Sequence, residues 1–450
     1  MATDLTLAGA TSGLPLPQLV ERLDSSRLRT YRENLEFYRG RQWSESARRR
    51  ERRLTFNYAK VVIEKTASYT MSGLALAVDP VDGSEEEAQR ARRAEEALRR
   101  VYEENGLDQL DFDNEIDCSV LGDAAYKVVW DAAQGRVRVS APDVQDLFAW
   151  RRGDDPSQVW RVAYRYLLEG DEAETLLGSL PAARGRRQHT VVEGWTDDRW
   201  ELWLDGSLWE EGVNPYGFVP FVIYPNVREP KEPWGVSDLA ALREPLRELN
   251  RSLSQLSMIL ELSGNPIAVL ENVTEAHDIA VQPGAVWEVP EKARAYLLDL
   301  LQGGGVGLHV DYINLVLRTL HDLAEVPRSA FGETRQPLSG VALQMELDPL
   351  LKKVQRKRLI RSAAFRRRNE MILRILEQYS GERFAPYRTR VIWGPVLPQD
   401  RSRLVQDEAR MVAAGIHSRR TAAGMLDVAD PDAEWERWRE EAWAAREVGV

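Results

Sequence analysis

The stretch WGVSDLAALREPLRELNRSLSQLSMILELSGNP, residues 234–266, decides how this chain is read. Its leucines, Leu239, Leu242, Leu246, Leu249, Leu253, Leu256 and Leu260, alternate three and four apart. That is the narrow stripe of a helix packed side by side with other helices. Ser237 is a good N-cap, and Asp238 suits a first turn, where the helix dipole favours an anion. Gly264 and Pro266 supply the stop. From Ser237 to Ser263 the helix would run about 40 Å at 1.5 Å per residue. Pro245 removes one backbone hydrogen bond and predicts a bend costing about 3 kcal/mol unless packing compensates. An ordinary core helix carries the same stripe, so its role depends on its surroundings.

Working outward, the chain has 450 residues, 43% hydrophobic and 29% charged, with a net charge of -11. This is the composition of a folded, soluble chain that repels nucleic acid as a whole, so any contact with DNA is local or fleeting. The single cysteine, Cys118 in DNEIDCSVLG, excludes an internal disulfide framework and a cysteine-rich zinc site, and reads as a small buried residue on a helix. The N-terminal MATDLTLAGATSGLPLPQLVERL lacks the pattern of a secretory signal, and no run of 18 apolar residues predicts a membrane span.

The first half mixes helices with strands. One helix is predicted from Pro17 to Gly40, and a second over NYAKVVIEKTASYTMSG, burying Val61, Val62 and Ile63 and stopping at Gly73. SEEEAQRARRAEEALRRVYEENG places acids to meet arginines three and four positions on, a solvated helix face. Between Gly122 and Tyr224, segments such as DAAYKVVW, GRVRVSA, HTVVEGW and RWELWLDG read as antiparallel strands and hairpins. After residue 266 come the strand-like NPIAVL, the flexible QGGGVG, a helix from His309 to Glu325, the broken PRSAFGETRQPLSG, and a long helix near Ser339 to Tyr379 that Pro349 should kink. A strand, TRVIWGPVLP, and a helical tail follow, with Trp435, Trp438, Ala442 and Trp443 on one side of the last helix. The class is α+β and helix-rich.

The order strand FVPFVIYPN, proline-rich REPKEPWG, helix from SDL with Asn250 on the rod, then LSGVALQ, IWGPVLPQD and GIHSRR resembles the portal protein of tailed double-stranded-DNA bacteriophages, of the long-tailed siphophage type. The resemblance begins at FYRGRQW and NYAKVVIEKTASYTMSG and covers most of the chain. It implies a virion protein, assembled in the host cytoplasm, that forms a ring of twelve subunits, or thirteen when expressed alone, at one capsid vertex. The ring passes genomic DNA inward during packaging and outward during ejection. The implied partners are other copies of the chain, transiently held double-stranded DNA, the terminase large subunit, head-completion and adaptor proteins, and the major capsid and scaffolding proteins, with no membrane.

On these residues the resemblance implies a wing over 1–236, a stem helix over 237–263 whose seven leucines pack between subunits, and a clip over 264–307. The clip docks motor and adaptor, with Glu271, Asn272, Glu275 and Asp278 as candidates by position. A second stem helix covers 308–326. A tunnel loop over 327–338 offers Arg328, Phe331, Thr334, Arg335 and Gln336 to passing DNA. A long kinked helix and a strand returning to the wing take 339–399, and a crown takes 400–450. Twelve helices about 10 Å apart make a ring of about 19 Å radius and a bore of roughly 28 Å. A duplex about 20 Å wide passes it.

Besides the basic run RRRERR at residues 48–53, the run KKVQRKRLIRSAAFRRR, Lys352 to Arg368, concentrates cations, interleaved with Val354, Leu359, Ile360, Ala363, Ala364 and Phe365. A helix with an apolar face fits it, its cations pairing at the wing surface or with a neighbouring subunit's carboxylates in preference to DNA. Asp111, Asp113, Glu115 and Asp117 look like ordinary members of a charged helix. No G-x-x-x-x-G-K-[ST], H-E-x-x-H or G-x-S-x-G is present, and the five histidines, His189, His277, His309, His321 and His417, make no metal pair. No enzyme, cofactor or metal is therefore expected. The alternatives are a nucleic-acid-processing packaging enzyme, or a DNA-binding protein using the basic run.

Overall fold

The computed structural model describes residues 14–43, 53–177, 188–264, 267–271, 294–298, 305–332, 340–397, 401–426, 428 and 434–441. The fold is α+β and divides into two compact units, Met1–Ile392 and Trp393–Val450.

The larger unit begins with α1 (Leu16–Arg22) and α2 (Ser25–Tyr38), two helices where one was expected. Asp24 breaks them apart at a left-handed φ of 57°, a conformation Asp tolerates better than most residues. Next is α3 (Tyr58–Thr70), whose Asn57 cap accepts from the Lys60 N–H at 3.2 Å. Val62 and Ile63 are buried on it, but Val61 is 45% exposed, because three consecutive residues cannot share one helical face. Strand β1 (Leu74–Val78) leads to α4 (Glu85–Asn105), capped by Ser84. There Arg90 pairs with Glu86 and Glu87 outside, while Ala91, Ala94, Leu98 and Val101 are buried. Gly106 turns the chain into α5 (Leu107–Leu121), which holds the fully buried Cys118.

Two antiparallel sheets follow. In the first, β2 (Asp123–Asp131) lies between β3 (Arg136–Ser140) and a later strand, Phe221–Pro225. In the second, β4 (Leu147–Arg151), β5 (Val159–Glu169), β6 (Gln188–Trp195), β7 (Arg199–Leu204) and β8 (Ser207–Val213) pair in sequence order, with α6 (Gly170–Leu177) after β5. Leu16 and Val20 of α1 pack on Phe148, Ala163 and Val192 of this second sheet. The later strand is β9, and a short ribbon, β10 (Val227–Arg228) with β11 (Gly235–Val236), joins it to the paired helices.

The leucine-striped helix, α7, runs Arg243–Gly264, later than expected, and is about 33 Å long at 1.5 Å per residue. Residues 237–242 form turns instead. Ser237 caps these turns, accepting from the Leu239 N–H at 3.0 Å and donating to the Val120 carbonyl at 2.6 Å. Pro245 therefore falls in the first helical turn, where its missing N–H has no partner to lose, and the expected bend has no cause. Strands β12 (Ile267–Glu271) and β13 (Arg294–Leu298) pair antiparallel, and α8 (Gly305–Ala324) packs against α7. The Tyr312 hydroxyl donates to Glu248 across that contact at 3.2 Å. Finally α9 (Gly340–Ser380) contains Pro349, and β14 (Thr389–Trp393) pairs with β1.

The smaller unit contains α10 (Arg401–Ala413), α11 (Arg419–Met425) and helical residues 434–441. Trp435 and Trp438 stack at 4.9 Å, and the Arg419 guanidinium lies 4.3 Å over the Trp438 ring. Ala442 and Trp443 lie outside the described residues.

Leu239, Leu242, Leu246 and Leu249 are buried in the subunit's own core, whereas Leu260 is 52% exposed. This corrects the expectation that all seven leucines face neighbouring copies. Leu249→Ala should therefore cost the isolated subunit about 2–5 kcal/mol in urea unfolding, and Leu260→Ala much less.

Candidate functional site

The basic run lies on α9, and most of its cations point inward. Lys353, Lys357, Arg361 and Arg368, spaced four, four and seven apart, share one buried face. Lys357 donates to Glu115 at 3.2 Å and Ser119 at 2.7 Å on α5, and sits 2.8 Å from Asp238 in the turns before α7. Arg361 grips Glu115 with Nε at 2.7 Å and Nη2 at 3.1 Å, and donates to the Asn226 carbonyl at 2.7 Å. Lys353 donates to the Ala324 carbonyl at the end of α8 at 3.0 Å and lies 3.5 Å from Asp238. Arg368 pairs with Asp111, Nη2 to Oδ2 at 3.0 Å, and donates to the Tyr102 hydroxyl at 2.6 Å. Arg358 donates to the carbonyls of Tyr69, Thr70 and Ser72 where α3 ends. One helix thereby joins α3, α5, the strand-to-helix turn, the turns before α7 and the tail of α8.

Close approach makes this possible. Gly122, at φ 114°, ends α5, and a Cβ there would come within 2.9 Å of the Ser237 N and 3.0 Å of the Gly235 carbonyl oxygen. A Cβ on Gly235 would lie 2.2 Å from the Gly122 carbonyl. Both glycines let the turn before α7 press onto the end of α5, where the Asp238 N–H donates to the Ser119 carbonyl at 3.0 Å.

The cations outnumber the carboxylates by one. Lys353, Lys357 and Arg361 meet the two carboxylates Glu115 and Asp238, and the C-terminal carbonyl of α8 supplies further negative potential beside Lys353. Burial pushes the Glu115 carboxyl up, but Arg361 and then Lys357 outweigh it and hold the group below its ordinary range. Burial likewise raises Asp238, and Lys353 and Lys357 bring it well below. Lys353 is lowered by burial, against the pull of Asp238. The Cys118 thiol is pushed far up by burial, consistent with an inert core residue.

Compared with known protein families, residues 20–447 match phage portal proteins, SPP1 Gp6-like. No curated protein matches the chain. A match over nearly the whole length establishes that the chain belongs to this portal protein family. It is a structural component of the virion, assembling with other phage proteins as a ring at the capsid vertex.

The structure distributes the candidate residues unevenly. Of the tunnel-loop set, Arg328 and Phe331 form a short turn of 3-10 helix, and the Phe331 ring packs 5.7 Å from the His321 ring of its own subunit. Thr334, Arg335 and Gln336 lie outside the described residues. Of the clip set, Glu271 is exposed and faces Arg294 across the β12–β13 ladder; Asn272, Glu275 and Asp278 lie outside the described residues. The pairing expected for the basic run is corrected too, since its buried cations find carboxylates within the subunit. Asp111 and Glu115 looked like surface acids, yet each is 1% exposed. Their signal was present: they share a helical face with Leu107, Asn114 and Cys118.

Arg361→Met leaves Glu115 buried with a lysine alone, and should cost about 3–5 kcal/mol in urea unfolding at pH 7. Arg366→Met, on the exposed face, should change stability by less than about 0.5 kcal/mol. Because Glu115 and Asp238 are held below their unfolded values of about 4, their contribution is full above that pH and is lost as pH falls through the folded values. Acid titration of the unfolding midpoint should show this loss, and Glu115→Gln with Asp238→Asn should flatten it.

Proposed function

We propose that twelve copies close into a ring that carries double-stranded DNA through the capsid vertex, inward during packaging and outward during ejection. The observation that carries this reading is the side-by-side pair α7 and α8, bridged at one end by the β12–β13 hairpin and anchored at the other by the ionic joint. The pair serves as the stem. The hairpin end, within 264–307, serves as the clip that docks the terminase large subunit and later the head-completion and adaptor proteins. The loop over 327–338 is assigned the brief contacts with DNA, through Arg328, Phe331, Thr334, Arg335 and Gln336. Residues 400–450 form the crown, and the surrounding shell belongs to the major capsid and scaffolding proteins.

A conduit must not hold its cargo. Each phosphate neutralised by a fixed cation adds tight, salt-sensitive binding. Here the net charge is -11, and Lys353, Lys357, Arg361 and Arg368 are committed to internal partners. The same commitment disfavours a DNA-binding protein built on the basic run.

Electron micrographs of the purified protein should show rings with a central hole. Duplex DNA at about 0.15 M salt should bind weakly in a titration, with no preferred sequence; compact single subunits binding duplex tightly would refute the proposal.

A further inference from the structure

We infer that the open edge of β1 receives an extended segment of another protein, apolar and basic in composition, as a third strand beside the β1–β14 pair. Because the edge belongs to the single subunit, this assignment does not depend on the ring. Successive backbone N–H groups of a strand point to opposite sides. The Asp79 N–H, just past β1, donates to the Arg388 carbonyl beside β14 at 2.9 Å. The Val78 N–H points the other way and donates to the Glu95 carboxylate of α4 at 3.3 Å. The Leu76 N–H shares that second side, where no described strand pairs with β1. Two strands alone make a marginal sheet, so a third adds stability as well as contact.

Three other sheet edges are closed by evident means. β8 carries Glu210 and Glu211 and a bulge at Trp209, since Leu202 pairs with Glu210 and Trp203 with Leu208. The Asn105 amide caps β3, donating to the Val137 carbonyl at 3.0 Å and accepting from the Val139 N–H at 2.9 Å. Arg27 donates to the Leu147 carbonyl of β4 at 2.8 Å. By contrast β1 is LALAV, with neither charge nor proline. Beside it runs a groove of about 620 Å³. Its apolar lining is Leu74 and Leu76 of β1 with Tyr102 and Leu107. Glu95 and Arg99 on its wall pair with each other at 3.4 Å. That leaves the exposed Glu103 and Asp108 with no ion-pair partner among the described residues. An extended segment pairs its backbone with the edge, sets apolar side chains on the lining and brings lysine or arginine to these two carboxylates. The same carboxylates repel phosphate, so nucleic acid does not fit.

The test uses the full-length protein and a fluorescein-labelled peptide that alternates valine and lysine, followed by anisotropy. Saturable binding, at least tenfold tighter than that of a valine–glutamate peptide, is the expected result, in rings and unassembled subunits alike. Hydrogen exchange across residues 74–78 should slow when the lysine peptide is bound. Glu103→Lys with Asp108→Lys, both on the surface, should keep the melting temperature and weaken the lysine peptide at least tenfold. Leu76→Pro removes the outward N–H, a change that an edge strand tolerates, and should weaken it as much. No binding, equal binding of the two peptides, or undiminished binding to the doubly charge-reversed protein would overturn the inference. Binding to unassembled subunits but not to rings would give the edge to a second copy and overturn it too, with the ring reading intact. Absence of rings from the unsubstituted protein would refute the ring reading alone, and the subunit measurement would still decide the edge.

Discussion

The structure depends on burying a short ladder of charges where five elements meet. Taking a carboxylate or a cation out of water is costly, and the attraction between them recovers that cost only when the geometry is close and the remaining donors are satisfied. Arg361 meets this condition with two bonds to Glu115 and two to Asn226. Lys353 meets it by adding the end of α8 to its pairing with Asp238. A displaced helix would strand one of these charges, so the ladder specifies the arrangement more strongly than it adds stability.

The paired helices inherit their placement from that ladder. Asp238 fixes the turns that lead into α7, the Ala324 carbonyl fixes the tail of α8, and both are held by α9. The leucine stripe is divided as a result. Its first part enters the core formed around the joint, and in its last part Leu253 and Leu256 are half-buried and Leu260 is exposed. Pro245 sits at the start of the rod because the ribbon and turns before it are held against α5 by Ser237, Gly122 and Gly235. In the proposed conduit this gives a stem that is held at one end by the joint.

Much of the architecture was legible from local chemistry. The antiparallel strands between β2 and β9, the buried Cys118 and the long helix through Pro349 follow from period, turn residues and propensity. The ordered series of motifs also carried the family, because order over hundreds of residues survives where each short motif is weak. The break at Asp24 and the late start of α7 were not legible, since each is set by neighbours distant in sequence.

The sequence by itself determined the helix-rich α+β class, the leucine period of α7, the membership in the portal proteins, and the acidic excess that disfavours tight DNA binding. Only the tertiary structure decided the direction of each charged side chain. A period of 3.6 says which residues share a face, but not whether that face meets water, another element or another subunit. Lys357 and Arg366 are alike as letters in one basic run; Glu115 and Asp238 wait for the first, and solvent receives the second.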